Sequence, residues 1–123
     1  MAIEKGRSEE LDQQILVNWF ERTYPKQSPW LHHSPAGGPR DARTGQKMKL
    51  MGVRKGFPDL ALYWPVGRYN GLAIEMKAAK GKVSKEQEEW LSHLGFMGWS
   101  VHVTYSYEAA ERILTHYLTG DTP

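Results

Sequence analysis

Residues 57–78 read FPDLALYWPVGRYNGLAIEMKA. Two apolar runs, 57–64 and 71–78, flank Pro65-Val66-Gly67-Arg68-Tyr69-Asn70, a segment with turn chemistry. The pattern predicts two strands joined as a hairpin. Side chains alternate across a strand, so Asp59, Ala61 and Tyr63 share one face, and Ala73, Glu75 and Lys77 share another. Leu72, Ile74 and Met76 take the reverse side. A register pairing Ala61 with Ala73 sets Asp59 opposite Glu75. Opposed residues have Cβ atoms roughly 4.5–5.5 Å apart, and like charges at that spacing destabilise a sheet unless neutralised. A divalent cation between them would neutralise both, and Lys77 follows on the same face. The small side chains of Ala61 and Ala73 predict open room above the pair.

Outward from the hairpin, Glu9, Glu10 and Asp12 fall in the first turn of a helix that Ser8 can cap and that runs to about Arg22. Leu11, Ile15, Trp19 and Arg22, with Leu16 and Phe20 alongside, form its apolar stripe. From Thr23 to Gly56 prolines and glycines interrupt any long element, and an irregular stretch is expected there, with Trp30-Leu31-His32-His33 as a short strand. After the hairpin, Ser84 opens a helix with Trp90, Leu91 and Leu94 on one face, ending at Gly95 and Gly98. A third strand is predicted over 99–105, with Val101, Val103 and Tyr105 on one face. Ser106 caps a last helix to about Leu118, striped by Ala109, Ala110, Ile113, Leu114 and Tyr117. Asp121-Thr122-Pro123 reads as a frayed tail. The order α, loop, β-hairpin, α, β, α predicts one α/β domain over 1–123, a small mixed sheet flanked by helices.

The bulk numbers narrow the function. The chain has 123 residues and no cysteine, which excludes disulfides and cysteine-bound zinc. A catalytic metal would need oxygen ligands or histidines, and oxygen favours magnesium or manganese. No apolar run is long enough to span a bilayer, and Met1–Arg7 lacks a signal-peptide core, so a cytoplasmic location without membrane association is expected, in a bacterium or a phage-infected host cell. The net charge is only +2, but between Lys26 and Lys55 seven basic residues stand against one acid, Asp41. That distribution suits a polyanionic partner such as DNA, or else a solvated loop.

The Asp59, Glu75 and Lys77 constellation fits phosphodiester hydrolysis. Two carboxylates fix a metal, which polarises a phosphoryl oxygen and lowers the pKa of bound water. The lysine orients or deprotonates the attacking water, or stabilises the transition state. A lone Glu-x-Lys on a strand is far more often a solvated face; the preceding Pro58-Asp59 on a paired strand is what singles it out.

Pro58-Asp59 followed sixteen positions later by Glu75-Met76-Lys77 matches the PD-(D/E)xK signature of restriction-like nucleases. The surroundings narrow it. Residues 52–60 (GVRKGFPDL), then Ile74-Glu75-Met76-Lys77-Ala78 with Gly81, Lys82, Ser84 and Gln87, then Trp90-Leu91 and Gly98, closely resemble the VRR-NUC (virus-type replication-repair nuclease) family. Upstream, His33-Ser34-Pro35-Ala36-Gly37-Gly38 and Arg40 resemble that family's His-x-Pro-Asn-Gly-Gly-x-Arg segment, with Ala36 in place of the asparagine. The resemblance runs from about Ser8 to Val103 and is to the stand-alone, single-domain type. It implies a restriction-endonuclease-like core. It further implies that Asp59 and Glu75, with the Met76 carbonyl, ligate Mg²⁺ or Mn²⁺, and that Lys77 is the catalytic lysine. Gln87 would stand at the edge of the active site. A glutamate of the first helix would join, Glu10 or Glu9, with Glu10 preferred. Stand-alone members are associated with homodimers that cut four-way (Holliday) junctions, since two symmetric cuts need two sites and a twofold dimer supplies them. The alternatives are a flap or nicking nuclease of the same chemistry and a non-catalytic DNA-binding module.

Other residues carry two readings. Ser84-Lys85-Glu86-Gln87 is a capping box, which would employ Gln87 structurally. His33, Arg40, Arg43, Lys47, Lys49, Arg54, Lys55, Lys80 and Lys82 are candidate DNA contacts, with Lys85 extending the same rim; their phosphate contacts would position DNA without reading sequence. The alternative for each lysine is a solvated turn. His32 and His33 are weak metal-ligand candidates because adjacent strand residues point oppositely, and Trp30 is the tryptophan placed to stack on a base.

Overall fold

The computed structural model describes residues 9–34 and 42–120. In chain order these are α1 (Glu9–Thr23), a 3₁₀ turn (Ser28–Trp30), β1 (Leu31–His33), α2 (Ala42–Leu50), β2 (Leu60–Leu62), β3 (Leu72–Met76), α3 (Lys85–Phe96), β4 (Ser100–Thr104) and α4 (Tyr107–Thr119). The sheet order is β1-β2-β3-β4. β1–β2 and β2–β3 are antiparallel, while β3–β4 is parallel and is reached by a crossover through α3. The expected α/β architecture, a small mixed sheet with helices against it, is the one observed.

The hairpin has the register that the alternation predicts. Ala61 pairs with Ala73, flanked by Leu60–Ile74 and Leu62–Leu72. Leu60, Leu62, Leu72, Ile74 and Met76 form one sheet face, buried against Leu16 and Phe20 of α1 and Ala110, Leu114 and Tyr117 of α4. Burying side chains of this size stabilises by roughly 1.5–3 kcal/mol each, before the entropy of ordering them is set against it. α3 covers part of the other face, where Gly95 approaches Val101.

Both β2 and β3 are shorter than expected. Pro58, fully buried, has no amide to give to a ladder. β2 therefore starts at Leu60, and the carboxylate of Asp59 takes the Met76 amide instead, at 2.8 Å.

Two sequence expectations need correction. The buried stripe of α1 is Asp12, Leu16 and Phe20, while Leu11 is 44% exposed and Arg22 is exposed. The helix is rotated by about one residue from the expected contact line, with Ile15 and Trp19 half-buried at its margin. The stretch expected to be irregular holds α2. That helix has no apolar stripe to announce it: apart from half-buried Gly45 and Met48, the described side chains from Arg43 to Leu50 are exposed. The expected short strand near Trp30 is present as β1. The readings for Ser8, for Pro35 to Arg40 and for Asp121 to Pro123 lie outside the described residues.

Among the described residues no helix is long and apolar enough to cross a membrane.

Candidate active site

Asp59 sits in the loop that enters β2, Glu75 and Met76 end β3, and Lys77 follows directly. The Lys77 amide donates to the Thr104 carbonyl at 2.8 Å, tying this end of β3 to β4. Continuing the β2–β3 register by one step beyond Leu60–Ile74 brings Asp59 opposite Glu75, as the sequence predicts.

Glu75 is 3% exposed. Its Oε2 receives Nε2 of Gln87 at 3.0 Å and stands 3.6 Å from Nζ of Lys77. Its Oε1 is buried with no hydrogen-bond partner. A buried carboxylate oxygen without a donor is costly. The consequence appears in its acidity: burial foremost, then the charge of Asp59, push the Glu75 carboxyl from 4.5 up to about 8, against the opposing pull of Lys77. Two acids and one lysine thus share a nearly dry site that is short of positive charge.

The first turn of α3 supplies Gln87. Ser84 caps the helix by accepting the Gln87 amide at 3.1 Å, and Oε1 of Gln87 accepts the Ser84 amide at 2.8 Å. Both readings of Gln87 therefore hold together: the oxygen of its amide closes the capping box and the nitrogen reaches Glu75. Gly56 makes this approach possible. It has φ +93°, and a Cβ there would lie 2.6 Å from the main-chain carbon of Glu86. The loop delivering Pro58-Asp59 thus runs against the first turn of α3 at a spacing only glycine allows. Phe57 braces the same contact edge-on against Trp90, with ring centroids 4.9 Å apart.

Of the two α1 glutamates, the structure brings in Glu9 and not Glu10. Oε1 of Glu9 accepts the Ala78 amide at 2.7 Å, while Glu10 is exposed. Helix geometry separates the side chains of adjacent residues by about 100°, and the sequence alone did not fix which one faced the sheet. Ala61 and Ala73, over which the sequence predicts room, are themselves buried, at 1% and 0% exposure.

The basic candidates divide. Arg43, Lys47, Lys49, Arg54 and Lys55 are exposed on α2 and the loop behind it, and Lys80 and Lys82 are exposed just beyond Lys77. Arg40 lies outside the described residues. His33 pairs with Leu60 and so belongs by register to the face opposite Glu75, whereas His32 pairs with Ala61 on the Glu75 side. Among the described residues no group of three or more His, Asp or Glu side chains is placed to hold a metal ion. Asp59 and Glu75 are the carboxylates the site offers. The capping box that anchors Gln87 on Ser84 is the one the sequence predicts, and the structure adds that the remaining amide nitrogen reaches Glu75.

A mixed sheet with an aspartate before one strand and Glu-x-Lys at the end of its neighbour defines a restriction-endonuclease-like core. The sequence model of the VRR-NUC domain matches residues 5–108, and the chain belongs to that nuclease family. A solved structure described as a VRR_NUC domain protein superimposes with a TM-score of 0.79 at 28% identity, covering 94% of this chain and 91% of that one. No curated protein matches the chain.

Proposed function

We propose that this chain is a metal-dependent endonuclease for branched DNA, acting as a homodimer that resolves four-way junctions. The observation that carries the reading is Glu75. A carboxylate with one oxygen held by Gln87, the other unpartnered, and Asp59 opposite is a site arranged to receive positive charge. The donor set fits Mg²⁺ or Mn²⁺: Asp59, Glu75 and the main-chain carbonyl of Met76 would hold the ion, all hard oxygens. Bound there, it would supply Lewis-acid activation of a phosphodiester and of water.

The chain's own residues supply the rest. Gln87 keeps the Glu75 carboxylate turned, and Lys77, whose side chain is 15% exposed, presents its ammonium at the boundary between the buried acids and solvent. There it meets the scissile phosphate and orients the attacking water. Exposed Lys80, Lys82, Arg54 and Lys55, with Arg43, Lys47 and Lys49 of α2, hold flanking phosphates. One small domain offers one such site, so paired cuts require two copies.

The test is cleavage of a labelled panel (four-way junction, 5′ flap, 3′ flap, splayed arm, linear duplex) with Mg²⁺ or Mn²⁺, beside Asp59→Asn and Lys77→Met. Paired symmetric junction cuts lost in both variants, with DNA binding retained by Lys77→Met and a dimer by light scattering, are expected. Cutting confined to flaps or duplex retains the nuclease and removes the resolvase. No metal-dependent cutting of any substrate removes both.

A further inference from the structure

On the other side of the sheet lies a second concave site. By register Ser100 and His102 of β4 align with Leu72 and Ile74, whereas Val101 and Val103 align with Ala73 and Glu75. Ser100 and His102 therefore face away from Glu75. They line an open cavity of about 770 Å³ flanked by the 66–69 turn and by α4. Its charged lining is basic, Arg68 and Arg112, with no aspartate or glutamate lining it among the described residues; His102 and His116 stand beside them, and burial, then His116, holds the His102 imidazole below its usual range. Tyr69 and Tyr117 give it aromatic surface, and Ala109 and Ile113 an apolar floor.

The volume is that of a small-molecule site, for which about 300–1,000 Å³ is usual. It far exceeds a bare inorganic anion. Arg68 is ordered in advance: its guanidinium lies over the Tyr69 ring at 5.1 Å and donates to the Tyr69 hydroxyl at 3.2 Å. An arginine stacked on an aromatic ring loses less freedom when its remaining donors grip a phosphate. Ser100 Oγ and His102 Nε2 pair at 2.8 Å on the opposite wall. Both acids of α4, Glu108 and Glu111, are outside the lining; burial, then Glu108, raises the Glu111 carboxyl against the pull of Arg112.

The geometry points to a nucleotide-binding site here, separate from the cleavage site, in which Arg68 and Arg112 hold a 5′-phosphate and the tyrosine and apolar surfaces face the base. The nucleotide is a free mononucleotide or the 5′-phosphorylated end of a strand.

The experiment is calorimetric titration of the full chain without divalent metal. The probes are 2′-deoxyadenosine 5′-monophosphate, deoxyadenosine, inorganic phosphate, and a short single strand with a 5′-phosphate or a 5′-hydroxyl. The monophosphate is expected to bind at least about tenfold more tightly than deoxyadenosine or phosphate alone. Arg68→Gln and Arg112→Gln, both exposed positions, should each weaken it about tenfold, as loss of a charge-assisted hydrogen bond does. Arg112→Lys should fall between, and Asp59→Asn should leave binding unchanged. If the phosphorylated strand binds more tightly than the monophosphate and loses the same factor in the arginine variants, the natural occupant is a strand end. If strand binding ignores both arginines while the monophosphate does not, it is the free nucleotide. The proposal is overturned if the monophosphate gives no heat at millimolar concentration, if neither arginine variant changes its affinity, or if Asp59→Asn abolishes it.

Discussion

Gln87 joins a helix cap to the buried carboxylate of Glu75: Oε1 accepts the Ser84 amide at 2.8 Å and Nε2 donates to Oε2 of Glu75 at 3.0 Å. Because the oxygen is committed to the Ser84 amide, the orientation of the side-chain amide is fixed by the network, and its nitrogen faces Glu75. That occupies Oε2 and leaves Oε1 as the free oxygen.

Replacing Gln87 by alanine should therefore do two things at once. Half of the capping box disappears, costing about 1 kcal/mol of stability. The donor to Glu75 goes with it, and removal of such a supporting partner typically lowers metal affinity or activity by roughly 10- to 100-fold. Ser84→Ala separates the two effects. It removes the hydroxyl that accepts the Gln87 amide but leaves the Gln87 side chain bonded to Glu75, so it should lower stability by a similar amount with cleavage nearly intact. Thermal melts and cleavage rates on the two variants check this, and equal loss of cleavage in both would contradict a separate role for the Gln87 amide.

Glu75 predicts how the metal-free protein responds to pH. Its carboxyl is raised from 4.5 to about 8 by burial and by Asp59. Between those values the folded chain holds a proton that the unfolded chain has released, so folding stability falls as pH rises from about 4.5 to 8 and levels off beyond. At 1.36 kcal/mol per unit the contribution has an upper bound of ~5 kcal/mol. Denaturation curves in chelator at pH 5, 6.5 and 8 should show the decline. Glu75→Gln should flatten it and be the more stable protein at pH 8. Adding Mn²⁺ at pH 8 should restore wild-type stability and leave Glu75→Gln little changed. A wild-type profile that rises over this range would contradict the burial of a charged Glu75.

The exposed basic residues predict a salt response. If Arg43, Lys47 and Lys49 of α2 and the neighbouring Arg54 and Lys55 hold phosphates, replacing any one of them by alanine should reduce the slope of log affinity against log salt by about 0.9 for duplex DNA. Lys47→Ala with Lys49→Ala should lower the slope by nearly two and weaken all DNA substrates alike. An unchanged slope would take α2 out of the interface.

The hairpin and its site were legible because alternation is a strict rule: once Ala61 pairs with Ala73, Asp59 and Glu75 have nowhere else to go. The capping box at Ser84 was legible for the same reason of fixed spacing. What escaped depended on packing that a sequence does not display. Helix α2 buries almost nothing, so it left no stripe. The α1 contact line runs through Asp12, an acid that a search for apolar periodicity passes over. The choice of Glu9 over Glu10 followed from that same rotation.

Gly56 is the position where fold and site meet most tightly. Its φ of +93° is a conformation side chains rarely adopt, and a Cβ would press within 2.6 Å of Glu86 main chain at the start of α3. Neither the backbone of a capped helix turn nor the buried Pro58 two residues on can yield cheaply. Gly56→Ala should cost roughly 1–3 kcal/mol from the strained backbone alone, with the clash in addition. Relief by moving the loop would carry Asp59 away from the Met76 amide, and relief by moving α3 would carry Gln87 away from Glu75; a displacement of about 1 Å at reacting groups costs on the order of a hundredfold in rate. The expected variant is thus both less stable and, at temperatures where it is still folded, slow to cleave. Gly52→Ala is the control: it shares a positive φ of 96° but has no atom within 4 Å of its Cβ position, so it should lose stability while keeping cleavage. If Gly56→Ala cleaves at the wild-type rate when folded, the close approach of loop and α3 does not set the geometry of the site.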